Sequence, residues 1–201
     1  MDSKALTAGL SVSAQITAAD LRAIKDAGFR AIICNRPDGE GADQPTFEEI
    51  ATAARAVGIE AEYLPIVAGK VTDEDAAAFD TALTELPGPV LAYCRTGTRS
   101  ATLWSLSQAD QRSVADILAA TKAAGYEMGG VVRRIVNGGT TPTDQNDAKF
   151  DVVIVGGGAA GISVASTAVR ISRATDVSPK DGSPMKMASL SGDAQKVTGL
   201  N

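Results

Sequence analysis

A cysteine, an arginine and a serine stand around a central glycine in the run Val90-Leu-Ala-Tyr-Cys-Arg-Thr-Gly-Thr-Arg-Ser100. A cysteine thiolate is a nucleophile, and a guanidinium offers a planar fork of N–H donors that fits an oxyanion. The apolar residues Val90 to Tyr93 read as a buried strand, and Ala101 to Ser107 read as a helix that Arg99 and Ser100 open. The polar loop between them turns backbone N–H groups inward, where the helix dipole adds partial positive charge. Gly97 permits a turn that a side chain would block. The pattern points to Cys94 as a nucleophile facing a bound anion. Arg99 supplies fixed charge, and Arg95, Thr96, Gly97, Thr98 and Ser100 complete the cradle. Ser100 is placed to tune the thiolate by a hydrogen bond. The plain alternative is a buried structural cysteine beside an ordinary turn.

The elements that must position this loop follow from periodicity and punctuation. Residues 6–15 alternate loosely, as an edge strand or hairpin does. Thr17 and Asp20 have capping-box spacing before a helix with Leu21 and Ile24 inward. Phe29–Cys34 reads as a buried strand, followed by the loop Asn35-Arg-Pro-Asp-Gly-Glu40. A helix over about Thr46–Val57 carries Phe47, Ile50 and Ala54 on one face. Ala61–Ile66 is a third strand and 67–71 a loop. Thr72 and Asp75 cap a helix bearing Ala76, Phe79 and Leu83. Pro87-Gly-Pro89 breaks the chain before the Cys94 strand. Ser113 and Asp116 open a further helix with Val114, Ile117, Leu118 and Thr121, and 126–136 offers a last short one. Strands alternating with helices predict a mainly parallel central sheet flanked by helices, with its site at the carboxyl ends of the strands.

Cys94 to Ser100 match, at every fixed position, the Cys-Arg-x-Gly-x-Arg-Ser loop of rhodanese-type sulfurtransferases. The loop also resembles that of protein tyrosine and dual-specificity phosphatases, Cys-x-x-Gly-x-x-Arg-Ser, which is one residue longer. Tyr93 stands where those phosphatases commonly carry histidine. Residues 10 to about 135 resemble the phosphatase-like domain of bacterial β-lactamase-hydrolase-like fusion proteins. The likeness is carried by Ser13-Ala-Gln-Ile-Thr, Asn35-Arg-Pro-Asp-Gly-Glu, Asp43-Gln-Pro and Leu91-Ala-Tyr-Cys-Arg-Thr-Gly-Thr-Arg-Ser-Ala-Thr-Leu-Trp. Members of that family are also described as sulfur transferases. The resemblance implies a dual-specificity-phosphatase-like α/β fold with a shortened, rhodanese-like loop.

Phosphatase chemistry needs an acid to protonate the leaving oxygen; sulfur transfer does not. Asp38, in a strand-end loop, is the first candidate. Asp73 and Asp75 are rivals, and all three also fit turns or caps. Arg36 pairs with Asp38, contacts substrate, or is a solvated loop charge. In some phosphatases of the implied fold a cysteine on a neighbouring strand forms a disulfide with the nucleophile. Cys34 is at a comparable position and is a candidate resolving cysteine. Its simpler reading is a buried core residue.

A second motif follows a polar stretch, 137–148, that reads as a linker. Phe150-Asp-Val-Val-Ile-Val-Gly-Gly-Gly-Ala-Ala-Gly161 is a strand, then Gly156, Gly158 and Gly161 in dinucleotide-binding spacing, then a small-residue helix. It resembles the start of an FAD-dependent sulfide:quinone-oxidoreductase-like domain. A Rossmann unit requires a second strand ending in an acid about 20 residues on. No such strand precedes Asp176 or Asp181. The expected organisation is therefore a catalytic domain over 1–136, a linker over 137–148, a truncated Rossmann fragment over 149–171 and a disordered tail over 172–201. No working cofactor site is expected.

Composition narrows the function. The 201 residues contain no histidine, which removes a Ser-His-Asp triad and the commonest zinc ligand. Residues 1–148 hold 20 acids and 13 bases, and the whole chain carries −5, so nucleic acid is not an expected partner. No apolar run approaches the roughly 20 residues of a membrane span. The start, Met1-Asp-Ser-Lys, lacks a signal-peptide pattern. The two cysteines do not make a disulfide framework, and a cytoplasmic location is expected. The expected partner is a small sulfur-containing or phosphorylated anion, with a thiol acceptor for sulfur. The first functional reading is a sulfurtransferase working through a Cys94 persulfide. Its alternatives are a cysteine-dependent phosphatase and a non-enzymatic, redox-regulated anion-binding module.

Overall fold

The structure is a computed structural model and describes residues 2–143. Strands form at Ser3–Ala5 (β1), Leu10–Ser13 (β2), Ala31–Cys34 (β3), Glu60–Tyr63 (β4) and Val90–Tyr93 (β5). Helices form at Leu21–Asp26 (α1), Phe47–Ala56 (α2), Asp73–Glu85 (α3), Thr98–Ser107 (α4), Val114–Ala123 (α5) and Val132–Val136 (α6). The sheet order is β1-β2-β5-β3-β4, with β1 antiparallel to β2 and every other neighbouring pair parallel. This is the expected helix-flanked α/β sheet.

All residues of β3 and β5 are buried, as strands covered on both faces must be. Alternate side chains feed two cores. Ala31, Ile33, Val90 and Ala92 pack with Phe79, Leu103, Trp104 and Ile117 on one face. Ile32, Cys34, Leu91 and Tyr93 pack with Leu21, Ile24 and Ile50 on the other. The caps expected at Thr72 and Ser113 form, and Thr46 supplies a further one that the sequence reading did not name. The Thr46 hydroxyl accepts from Glu49 N at 3.3 Å, and Glu49 returns a bond from Thr46 N at 2.7 Å. Thr72 and Asp75 repeat the device on α3. Each such cap stabilises by about 1 kcal/mol.

The first hairpin lies earlier than its alternation suggests. The edge is β1, whereas β2 sits inside the sheet with Leu10 and Val12 buried. Strand β4 ends at Tyr63 rather than Ile66. Pro65 has no N–H to give a ladder, although Leu64 N and Ile66 N still bond Cys34 O and Asn35 O. Past α6 the chain stays against the body, because Thr141 N and its hydroxyl donate to the Asp73 carboxylate. The glycines Gly156, Gly158 and Gly161, the fragment 149–171 and the tail 172–201 lie outside the described residues. Among the described residues no helix is long and apolar enough to cross a membrane.

Candidate active site

Parallel strands share a carboxyl rim, so β2, β3, β4 and β5 deliver Ser13, the 35–40 loop, Ile66 and Cys94 to one place. Cys94 is 1% exposed at the floor of its loop. The Gly97 N–H donates to Cys94 Sγ at 3.1 Å, the inward-facing amide that the motif predicts. Gly97 caps α4 with φ of 90°, in the left-handed region. A Cβ there would run into the Tyr126 hydroxyl and lie 3.2 Å from Ser13 O, so two separate constraints demand glycine. Tyr126 closes the loop from outside by donating to Thr96 O at 3.2 Å. Burial pushes the Tyr126 phenol up. The Thr96 and Thr98 hydroxyls bond each other at 3.1 Å. Their side chains and that of Arg95 are exposed at the mouth.

Arg99 is 8% exposed and has partners from two other loops. Its Nη1 donates to Ile66 O at 2.7 Å, and Nη2 reaches Glu40 Oε1 at 2.8 Å and Oε2 at 2.6 Å. Glu40 is shared. Arg36 Nε donates to Glu40 Oε2 at 2.9 Å, while Arg36 Nη1 donates to Gln15 Oε1 at 3.0 Å. Arg36 is itself 8% exposed, so it is neither a solvated loop charge nor a partner of Asp38. The guanidinium of Arg99, seconded by that of Arg36, holds the Glu40 carboxyl below the usual glutamate range. Sequence reading missed Glu40. The only available signal was its spacing of four from Arg36 in the 35–40 loop.

Several expected roles change. Ser100 is fully buried and donates its hydroxyl proton to Asn35 Oδ1 at 2.8 Å. A hydroxyl has a single proton to give, so this bond takes the one expected to reach the thiolate. Asn35 in turn donates to Leu64 O and ties three loops together. Asp38 accepts from Phe47 N at 2.8 Å at the start of α2, and its own N–H donates to the Tyr63 hydroxyl at 2.9 Å. It acts as a helix-start acceptor. Asp73 is occupied by Arg134 and Thr141, and Asp75 by its cap. Hydrogen bonds from Thr141, led by its backbone N–H, and the Arg134 cation hold the Asp73 carboxyl below its usual range. Asp38 and Asp75 thus take the helix-start roles that their positions also allow, whereas Asp73 ties α3 to Arg134 and Thr141.

Cys34 is the register partner of Tyr93 across β3 and β5. Its thiol is buried and donates to Arg36 O at 3.3 Å, and burial pushes it up. The Tyr93 hydroxyl is buried beside it without a hydrogen-bond partner, and burial drives that phenol upward as well. Both cysteines are free thiols. Among the described residues no group of three or more Cys, Asp or Glu side chains is arranged to hold a metal.

The domain that carries this rim has counterparts in known proteins. The family described as "Beta-lactamase hydrolase-like protein, phosphatase-like domain" matches residues 2–111. The chain belongs to that family. A β-lactamase hydrolase-like protein of Agrobacterium fabrum is 37% identical over 100 residues, covering 50% of this chain and 23% of that protein. The chain therefore spans about a quarter of that relative. A candidate phosphatase of Neisseria meningitidis Z2491 superposes with a TM-score of 0.62 at 34% identity, over 67% of this chain and 96% of that one. The core domain of a PP-IP phosphatase from S. cerevisiae, solved with citrate, superposes at 0.52 with 12% identity. It covers 66% of this chain and 82% of that one. At that identity it speaks for the fold alone. The phosphatase-like α/β fold implied by the resemblance over residues 10 to about 135 is thereby shown.

Proposed function

We propose that the domain is a cysteine-dependent phosphatase acting on a small phosphorylated anion. The carrying observation is the Gly97 N–H aimed at Cys94 Sγ at 3.1 Å, with Arg99 held at the same rim. In the proposed reaction the Cys94 thiolate attacks phosphorus, and the bond to the leaving oxygen breaks. Loop amides and Arg99 carry the charge that develops on the phosphoryl oxygens. Water then attacks the phosphocysteine, releasing inorganic phosphate and restoring the thiol. The family domain and the Neisseria relative support this reading.

Asp38, Asp73 and Asp75 each accept from backbone N–H groups, and the reaction we propose uses none of them as its acid. The leaving oxygen must then depart as an anion. Hydrolysis rates across a series of aryl phosphates are expected to fall steeply as the phenol becomes less acidic, with alkyl phosphates slowest. A flat series would show that an acid protonates the leaving group and would overturn this mechanism.

One observation favours a second reading. Only four residues separate Cys94 from Arg99, as in the rhodanese-type loop. In sulfur transfer the Cys94 thiolate would take the outer sulfur of thiosulfate, releasing sulfite, and pass it from the persulfide to a thiol. That reading predicts a mass gain of one sulfur from thiosulfate, reversed by dithiothreitol and absent in Cys94→Ala.

A further inference from the structure

The geometry points to Glu40 as a positioning residue that fixes Arg99 at the mouth of the Cys94 loop, and so sets how tightly the site holds an oxyanion. This inference rests on the oxyanion reading of Cys94 and names what orients its arginine. Arg99 sits on the first turn of α4, directly after a loop with few residues to restrain it. Its orientation is supplied from outside. Ile66 O and the Glu40 carboxylate take both Nη atoms, so two loops outside α4 fix the plane of the fork.

Glu40 is held in turn. Arg36, itself held by Gln15, donates to the same Glu40 Oε2 that Arg99 reaches, and the Tyr63 hydroxyl accepts from Asp38 N in the same loop. The ring of Tyr63 stacks on Phe47 with centroids 4.6 Å apart, so the loop rests on a packed aromatic pair. Two guanidinium groups whose side chains are each 10% exposed converge on one carboxylate. Buried like charges repel strongly unless an anion lies between them. Replacing Glu40 by a neutral group leaves Arg36 and Arg99 facing each other, and Arg99 loses its direction. The cluster keeps a surplus of one positive charge, which a bound anion would complete.

The test measures tungstate binding by titration calorimetry, because tungstate is an oxyanion that needs no turnover. Wild type, Glu40→Gln and Glu40→Asp are compared, with thermal midpoints and emission of the single tryptophan, Trp104, as controls for the fold. Glu40→Gln is expected to bind tungstate about tenfold more weakly, in line with the loss of a charge-assisted anchor. Glu40→Asp should recover part of that loss. On an aryl phosphate the Gln variant should show a raised KM as well as a lowered kcat. Should Glu40→Gln fail to fold, Arg36→Gln keeps the Glu40–Arg99 pair and is expected to weaken tungstate binding by a smaller factor. Unchanged or tighter binding in a folded variant overturns the inference, since Glu40 would then be inert or a competitor for Arg99. A wild type that does not bind tungstate overturns it as well. Failure of the phosphatase reading is seen separately, as tungstate binding without aryl phosphate hydrolysis.

Discussion

Two arginine–carboxylate clusters use the same chemistry to different ends. At the rim, Glu40 lies between Arg36 and Arg99. At the seam of α3 and α6, Asp73 accepts from Arg134 at 2.6 Å. The closest contacts match, since Arg99 also reaches Glu40 at 2.6 Å. The charge counts differ. The seam pairs one cation with one anion and fills the remaining carboxylate capacity with the Thr141 N–H and hydroxyl. The rim places two cations on one anion and leaves positive charge beside a buried thiol. A cluster whose charge is cancelled internally closes a seam. A cluster left with a surplus is where we propose that an anion binds.

This contrast is broken most readily at the rim. Arg99→Lys removes the planar fork while keeping the charge, and an ammonium cannot serve Ile66 O, Glu40 and an anion in one plane. Turnover of an aryl phosphate is expected to fall on the order of a hundredfold, the cost of losing one oriented donor to a developing oxyanion. The thermal midpoint should move little. A full-activity lysine variant would make the rim cluster as structural as the seam.

At the seam the expected effect is smaller and falls on stability. Asp73→Asn keeps the shape and removes the charge. Its midpoint at neutral pH should drop by a few degrees, about what 1 kcal/mol does in a domain of this size. Turnover should stay within about twofold, as Asp73 touches nothing in the Cys94 loop. The native pKa of Asp73 is depressed, so its contribution is present above the ordinary value of 3.8. That contribution is lost as pH falls through the still lower native value. Calorimetric scans across pH should therefore show wild type and Asp73→Asn converging in acid. A gap that persists there would assign the stabilisation to packing rather than charge.

The cysteine loop, its arginine and its left-handed glycine were legible in the sequence because Cys94, Gly97 and Arg99 fall within one short stretch. The sheet was legible too, since β3 and β5 are short apolar runs between capped helices. What orients Arg99 was not legible. Its partner Glu40 is 59 positions away, and only the parallel register of β3 and β5 brings the two loops together. The partners of the three aspartates were hidden for a related reason. A carboxylate in a strand-end loop looks the same in sequence whether it serves a substrate or the first N–H of a helix, and here Asp38 serves Phe47 N. Ser100 shows how one distant acceptor redirects a side chain, because Asn35 takes its proton.

The account turns on what Cys94 carries during the reaction. Intact mass of the reduced protein, acid-quenched within a single turnover of an aryl phosphate, reads this directly. A gain of one phosphoryl group in wild type, absent in Cys94→Ser, is the predicted result. No phosphoryl gain, together with one reducible sulfur acquired from thiosulfate at Cys94, would contradict the phosphatase reading and place the same loop in sulfur transfer.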